Sequence, residues 1–236
     1  MQYVADFSDE RLKQYCIYCG TLLANQKISK EHVPSKVFLD QPYPENLFIV
    51  HTCQPCNHSF SKDEEYTAAI LGVLISGSAD PEKQVWSKAR KILLRKTKLQ
   101  QEIVRNCKLD AKGHFFGLKF NEKRLEKVLI KNARALALYM ISEPVFDAPS
   151  HIIWRCLPHL SNEERQQFEF LPEQDLFPEV GSRMFIDQVE NRGTFDKWTE
   201  MQDGTFRFAV MWDGSIIIRM VFREFLFAQV GWEERL

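Results

Sequence analysis

Two cysteine pairs constrain this sequence more than any other feature. "CIYC" supplies Cys16 and Cys19, "CQPC" supplies Cys53 and Cys56, and 33 residues separate the pairs. Each pair has the spacing of a zinc knuckle, and four thiolates about 2.3 Å from one Zn²⁺ complete a tetrahedral shell. Such a site is structural, because it leaves no open position for chemistry. In a small module with little core, the metal supplies much of the folding free energy. The other readings of the pairs are buried free thiols or a redox couple. Six cysteines in 236 residues are not a dense disulfide framework, and the isolated Cys107 and Cys156 read as core thiols.

The remaining composition is that of a soluble globular chain, 44% hydrophobic and 27% charged. No run approaches the roughly 18 apolar residues of a membrane span, so no membrane partner is expected. The opening "MQYVADFSDE" has no basic region ahead of an apolar one, so an intracellular, cytoplasmic location is expected rather than secretion. The net charge of -1 hides an asymmetry. Residues 83–134 carry 16 Lys/Arg against 4 Asp/Glu, whereas residues 135–236 carry 9 against 17.

Turn chemistry and periodicity organise the chain. "SKDEEYTAAILGVLIS" reads as a helix ended by the small residues that follow it. Asp80 then caps a second helix, with Pro81 at its first position, running to about Cys107. "AKGHFFGLKF" predicts a short hairpin turning near Gly113, and "NEKRLEKVLIKNARALALYMIS" a third helix ended by Pro144 and Pro149. "HIIWRCL" reads as a buried strand. "TFRFAVMW" and "SIIIRMVFREFLFAQVGW" flank Asp213-Gly214 as a hairpin. The expected division is residues 1–76 as a zinc module and 77–236 as a mixed α/β region, with basic helices over 83–134 and an acidic, strand-rich C-terminal part.

Between the cysteine pairs lies "EHVP", a carboxylate beside an imidazole just ahead of a proline, followed by Asn46 and Asn57. Cys-x-x-Cys, acid-His-Val-Pro, Asn-Leu and Cys-x-x-Cys-Asn, in that order, resemble the HNH (His-Me finger) nucleases. The likeness is greatest to the subset with a four-cysteine zinc and an Asn directly after the last Cys, and it covers about residues 14–66. It implies an α+β fold that begins with a ββα-metal module. It implies an endonuclease that hydrolyses phosphodiester bonds in DNA. His32 would be the general base that activates water. Glu31 and Asn57 would give oxygens to a catalytic Mg²⁺ or Mn²⁺, and Asn46 would brace the loop and orient His32. Two departures stand out: the acid beside the His is Glu where the family often has Asp, and Asn57 stands where many members carry His.

Each residue also has a plainer reading. His32 can be a structural hydrogen-bonding residue, Asn57 a helix cap, and Asn46 an ordinary turn residue. His51 and His58 flank the knuckle without fitting a ligand position and read as solvated, as do Asp63, Glu64 and Glu65. The basic residues of 83–134, Lys131 and Arg134 among them, suit sequence-tolerant DNA binding, or else pairing with acidic residues of the chain or of a homodimer partner. The resemblance also points to prokaryotic antiviral defence or mobile elements, with a regulatory protein partner. The alternative function is a non-catalytic zinc module that binds nucleic acid or protein.

Overall fold

Alternating burial turns the segment between the cysteine pairs into a hairpin. The computed structural model describes residues 7–45, 47–172, 177–190 and 198–233. Strand β1 (Ile28–Val33) buries Glu31 and Val33 and leaves Lys30 outward, as a half-buried strand requires. It pairs antiparallel with β2 (Phe48–Cys53), setting His32 opposite Ile49 and Lys30 opposite His51. Helix α1 (Gln54–Ser76) starts at the next residue, so β1, β2 and α1 form the expected ββα unit. Asn46 lies outside the described residues.

The fold is α+β, with six α-helices and three antiparallel sheets among the described residues. Helices α2 (Ser87–Arg95) and α3 (Thr97–Asn106) precede a two-stranded sheet, β3 (Cys107–Leu109) and β4 (Phe115–Leu118). Helix α4 (Glu122–Ile141) follows. After it come β5 (His151–Cys156), α5 (Asn162–Glu169), α6 (Arg183–Val189) and the strands β6 (Thr199–Gln202), β7 (Phe206–Trp212), β8 (Ile216–Phe222) and β9 (Leu226–Trp232). The last four make a meander, and β5 adds beside β9 to give the order β5-β9-β8-β7-β6. No helix among the described residues is long and apolar enough to cross a membrane.

The chain divides into two compact units, residues 1–59 with 129–236, and residues 60–128. The boundaries fall inside α1 and α4, so packing does not follow the 1–76 and 77–236 division that composition gave. The reason is visible in the first unit. Phe48 of the hairpin stacks on Tyr139 of α4 at 3.7 Å and meets Phe208 of β7 at 5.7 Å. Phe38 meets Phe222 of β8 at 5.2 Å. Asp40 adds polar ties: its N–H donates to Gln202 Oε1 at 2.8 Å, and its carboxylate accepts from Arg223 at 2.7 Å. The zinc-knuckle segment and the C-terminal strands therefore share one core. Four of these rings, Phe38, Phe48, Phe208 and Phe222, are fully buried, and truncating any of them leaves a large cavity.

Three expectations for local structure need correction. Strand β5, expected to be buried, has no fully buried residue, and Ile153 and Arg155 are exposed. Residues 80–107 are not one helix. Asp80 does cap, accepting from Glu82 N–H at 3.0 Å, but it caps a single 3-10 turn (Pro81–Lys83). The helix proper starts at Ser87 and breaks at Lys96, whose φ of -106° and ψ of 66° are not helical. Helix α2 buries Ala89, Ile92 and Leu93, whereas α3 buries Ile103; the break redirects the apolar stripe, with no Gly or Pro to announce it. The segment after Asp213-Gly214 is likewise two strands rather than one. Its turn uses Arg223 and Glu224 at φ 55° and 46°, a left-handed backbone that non-glycine residues rarely adopt. Arg223 N–H donates to Thr205 O at 2.7 Å, and Arg207 holds Glu224 at 2.7 Å, so tertiary contacts fix the turn.

In the unit 60–128, α1 and α2 approach closely at Gly72. A Cβ built there would lie 2.2 Å from the Ala89 Cβ. Gly72→Ala is expected to destabilise the chain by about 1–3 kcal/mol in denaturant unfolding, since overpacking must move a helix. Val85→Ala, at a side chain in solvent, is expected to change stability by less than about 0.5 kcal/mol.

Candidate metal centre

The first cysteine pair sits on a tight turn. Gly20 N–H donates to Cys16 O at 2.8 Å, Cys16 N–H donates to Thr21 O at 2.9 Å, and Gly20 takes φ 69°. The second pair straddles the end of β2 and the first turn of α1. The four sulfurs lie within 4.8 Å of one another, and Cys19 Sγ is 3.8 Å from Cys53 Sγ. Metal–sulfur bonds of about 2.3 Å in a tetrahedron put sulfurs about 3.8 Å apart, so the donor set fits zinc. Contact with Thr21 at 3.3 Å holds the Cys19 thiol down to about 6, while burial pushes Cys53 and Cys56 up. Thiolates converging in a partly apolar pocket with Leu23 and Tyr18 need a cation to be stable together, and a divalent ion supplies it. The chain thus has a four-cysteine site compatible with structural zinc. Cys107 and Cys156 stand apart from it, each half-buried.

Asn57 lies in the first turn of α1, inside the helix rather than at its cap. Its Nδ2 donates to Ser29 Oγ at 2.7 Å and reaches the Lys30 carbonyl at 3.5 Å. A cap would use the side-chain oxygen as acceptor; here the nitrogen binds across to β1 and Oδ1 is left over. His32 is half-buried and shares a hairpin face with Ile49, its cross-strand partner, and with Lys30 and His51. A cleft of about 450 Å³ runs along β2, lined by Ile49 and His51 together with Lys13, Tyr139 and Arg183. Glu10 also lines it and holds Lys13 at 2.7 Å, while Arg183 donates to the Tyr139 carbonyl at 2.9 Å and lies over the Tyr139 ring, so both of these cations have internal partners. His51 and His58 are exposed, as read from the sequence.

Glu31 has a different setting from the one the resemblance implied. Its side chain leaves β1 on the face opposite to His32 and is buried, 6% exposed. Glu31 Oε1 accepts from Lys131 Nζ at 2.7 Å, and Ser35 Oγ lies 2.5 Å from the same ammonium. Lys131, counted among the DNA-facing cations in the sequence, is itself 2% exposed. As placed, Glu31 serves an ammonium rather than a divalent ion, and Ser29, the partner of Asn57, leaves β1 on the same face as Glu31, opposite to His32. Several other cations also have internal partners. Arg124 and Lys127 hold Asp63 at 2.6 and 2.8 Å, Lys96 holds Glu65 at 3.2 Å with Arg95 beside it, and Arg90 pairs with Glu82. Asp63 and Glu65 are therefore ion-pair partners, not a merely solvated face. Sequence reasoning had no signal for the Glu31–Lys131 pair, whose members are 100 residues apart.

Purified protein is expected to hold about one zinc per chain by elemental analysis. Cys16→Ser is expected to lose the metal and much of the fold, while Cys107→Ser and Cys156→Ser retain it. Lys131→Met strands a buried carboxylate and is expected to cost about 3–5 kcal/mol, most of it regained in Glu31→Gln/Lys131→Met. No protein-family model, no curated protein and no solved structure matches this chain, so its geometry must carry the functional reading.

Proposed function

We propose that the chain is a metal-dependent endonuclease of the HNH type that hydrolyses phosphodiester bonds in DNA. The observation that carries this reading is the ββα unit. It sets His32 on the hairpin and Asn57 one residue past the last zinc-site cysteine, bonded back to β1. The four-cysteine site leaves His32 and Asn57 available for chemistry. In this reading the neutral His32 imidazole accepts a proton from the attacking water. Asn57 Oδ1 would help hold Mg²⁺ or Mn²⁺, whose role is to stabilise the leaving oxygen. Glu31 would join as a ligand only after releasing Lys131. The strand phosphates would run over the cleft beside β2, where Lys13 would exchange Glu10, and Arg183 the Tyr139 carbonyl, for phosphate. Residues 60–128, with 15 Lys/Arg against 9 Asp/Glu, would add sequence-tolerant contacts through exposed Lys91, Lys98 and Lys123.

The Glu31–Lys131 pair favours a second reading, a zinc module that binds nucleic acid without cutting it. Plasmid DNA incubated with Mg²⁺ or Mn²⁺ separates the two. The nuclease reading expects nicking that falls by about 100-fold or more in His32→Ala and also falls in Asn57→Ala. Binding without nicking in either cation, or equal nicking by His32→Ala, would sink it.

A pH profile adds a second check. Burial, then the charges of Lys36, Lys131 and Lys30, hold His32 below its ordinary pKa of 6.5. The base is available above its folded pKa, so the acid limb of cleavage is expected below pH 6.5. Lys36→Ala removes a repelling cation and is expected to move that limb upward.

A further inference from the structure

A cavity at one end of the five-stranded sheet, removed from His32, has a chemistry of its own. Its volume is about 700 Å³. Trp212 at the end of β7 pairs in register with Ile216 at the start of β8, and Ile216 pairs with Trp232 at the end of β9. Residues in one cross-strand row share a face, and neighbouring strands are about 4.8 Å apart. The two indoles therefore leave the same face of the sheet, from backbone positions about 10 Å apart with Ile216 between them. Both indole N–H groups are turned to backbone carbonyls, Trp212 Nε1 to Phe177 O at 3.3 Å and Trp232 Nε1 to Asp147 O at 3.1 Å. These bonds fix the ring planes.

The carboxylates around the rings are Glu143, Asp147 and Glu233. Glu143 is half-buried and has no hydrogen bond or ion pair among the described residues. Burial, with Glu179 nearby, pushes its carboxyl upward, which marks a site short of positive charge. Among the described residues no Lys, Arg or His lines the cavity, and the cations bonded to its neighbours are already engaged. Arg134 is engaged with the Phe146 and Asp147 carbonyls at 2.9 and 2.7 Å, and His151 lies 3.8 Å from Glu233. Aromatic faces attract cations through their quadrupole, and carboxylates at the rim reinforce the selection.

We infer that this cavity, between Trp212 and Trp232 and under Glu143, is a binding site for an organic cation with an alkyl body. An anion would face three carboxylates, and a metal ion would find two indoles where it needs oxygen ligands. An alkylammonium group satisfies rings and acids together.

The test uses the full zinc-loaded chain with indole-labelled tryptophan, whose five indole signals are read by NMR. Choline and n-butylammonium are titrated against 3,3-dimethylbutanol, the uncharged counterpart of choline. The expected result is saturable movement of the Trp212 and Trp232 signals with at least one cation. Affinity for the neutral alcohol should be weaker by about tenfold or more, as loss of a charge contact predicts. Trp212→Ala and, independently, Glu143→Gln should each weaken the cation about tenfold. Glu143→Gln keeps size and shape, so it decides the matter if Trp212→Ala fails to fold. No saturation by either cation, equal response to the alcohol, or unchanged affinity in Glu143→Gln would overturn the assignment. Because the readout is binding at the sheet end, it is independent of whether the chain cuts DNA.

Discussion

The convergence of four sulfurs at the strand–helix junction is the constraint on which the N-terminal architecture depends. A two-stranded hairpin is marginal by itself in water. Here Cys53 ends β2 and Cys56 lies one turn into α1, so a metal bound to both fixes the direction in which the helix leaves the sheet. The turn carrying Cys16 and Cys19 clamps the other side. Asn57 follows at once, and its 2.7 Å bond to Ser29 reads as a consequence of that fixed junction. The junction is further tied by the Gln54 N–H, which donates to the Lys27 carbonyl at 2.9 Å.

A second polar feature sets the electrostatics of the same region. The Glu31–Lys131 pair is buried at both ends and joins β1 to α4. Burying an ion pair is costly in desolvation and is rarely a net gain over apolar packing. Its effect is on specificity: the carboxylate next to His32 in sequence is committed to an ammonium. Any divalent ion that recruits Glu31 must compete with a tethered cation already in place. The pair thus gives the catalytic reading and the binding-only reading a common hinge.

Legibility in the sequence followed the range of the interactions. The cysteine pairs, the hairpin between them and α1 were readable because they are local, with a 3.6- or 2-residue period or fixed spacing. The Asp213-Gly214 turn was readable for the same reason, since its backbone demands such residues. The Arg223–Glu224 turn was not, because its left-handed backbone is imposed by Thr205, Arg207 and Asp40 rather than by its own residues. The helix break at Lys96 was missed because two apolar stripes, not a breaker, decide it. In the candidate site, His32 and Asn57 could be named from spacing, but the state of Glu31 depends on a lysine 100 residues away. The charge run over 83–134 read as a binding surface, yet part of it closes ion pairs with α1.

The sharing of one core by Phe48, Phe208 and Phe222 has a consequence for how the chain assembles during synthesis. The first 59 residues and the last 108 belong to one unit. The metal-binding turn can close as soon as Cys56 emerges, but the inner face of its hairpin stays uncovered until α4 supplies Lys131 and Tyr139, and it is completed only with the meander. Contacts of such long sequence separation form late and carry a large loop-closure cost. Until α4 has been made, then, the chain carries a chemically complete zinc ligand set on a hairpin whose inner face has nothing to rest against. A truncated N-terminal fragment would inherit that condition permanently, binding metal while remaining prone to association.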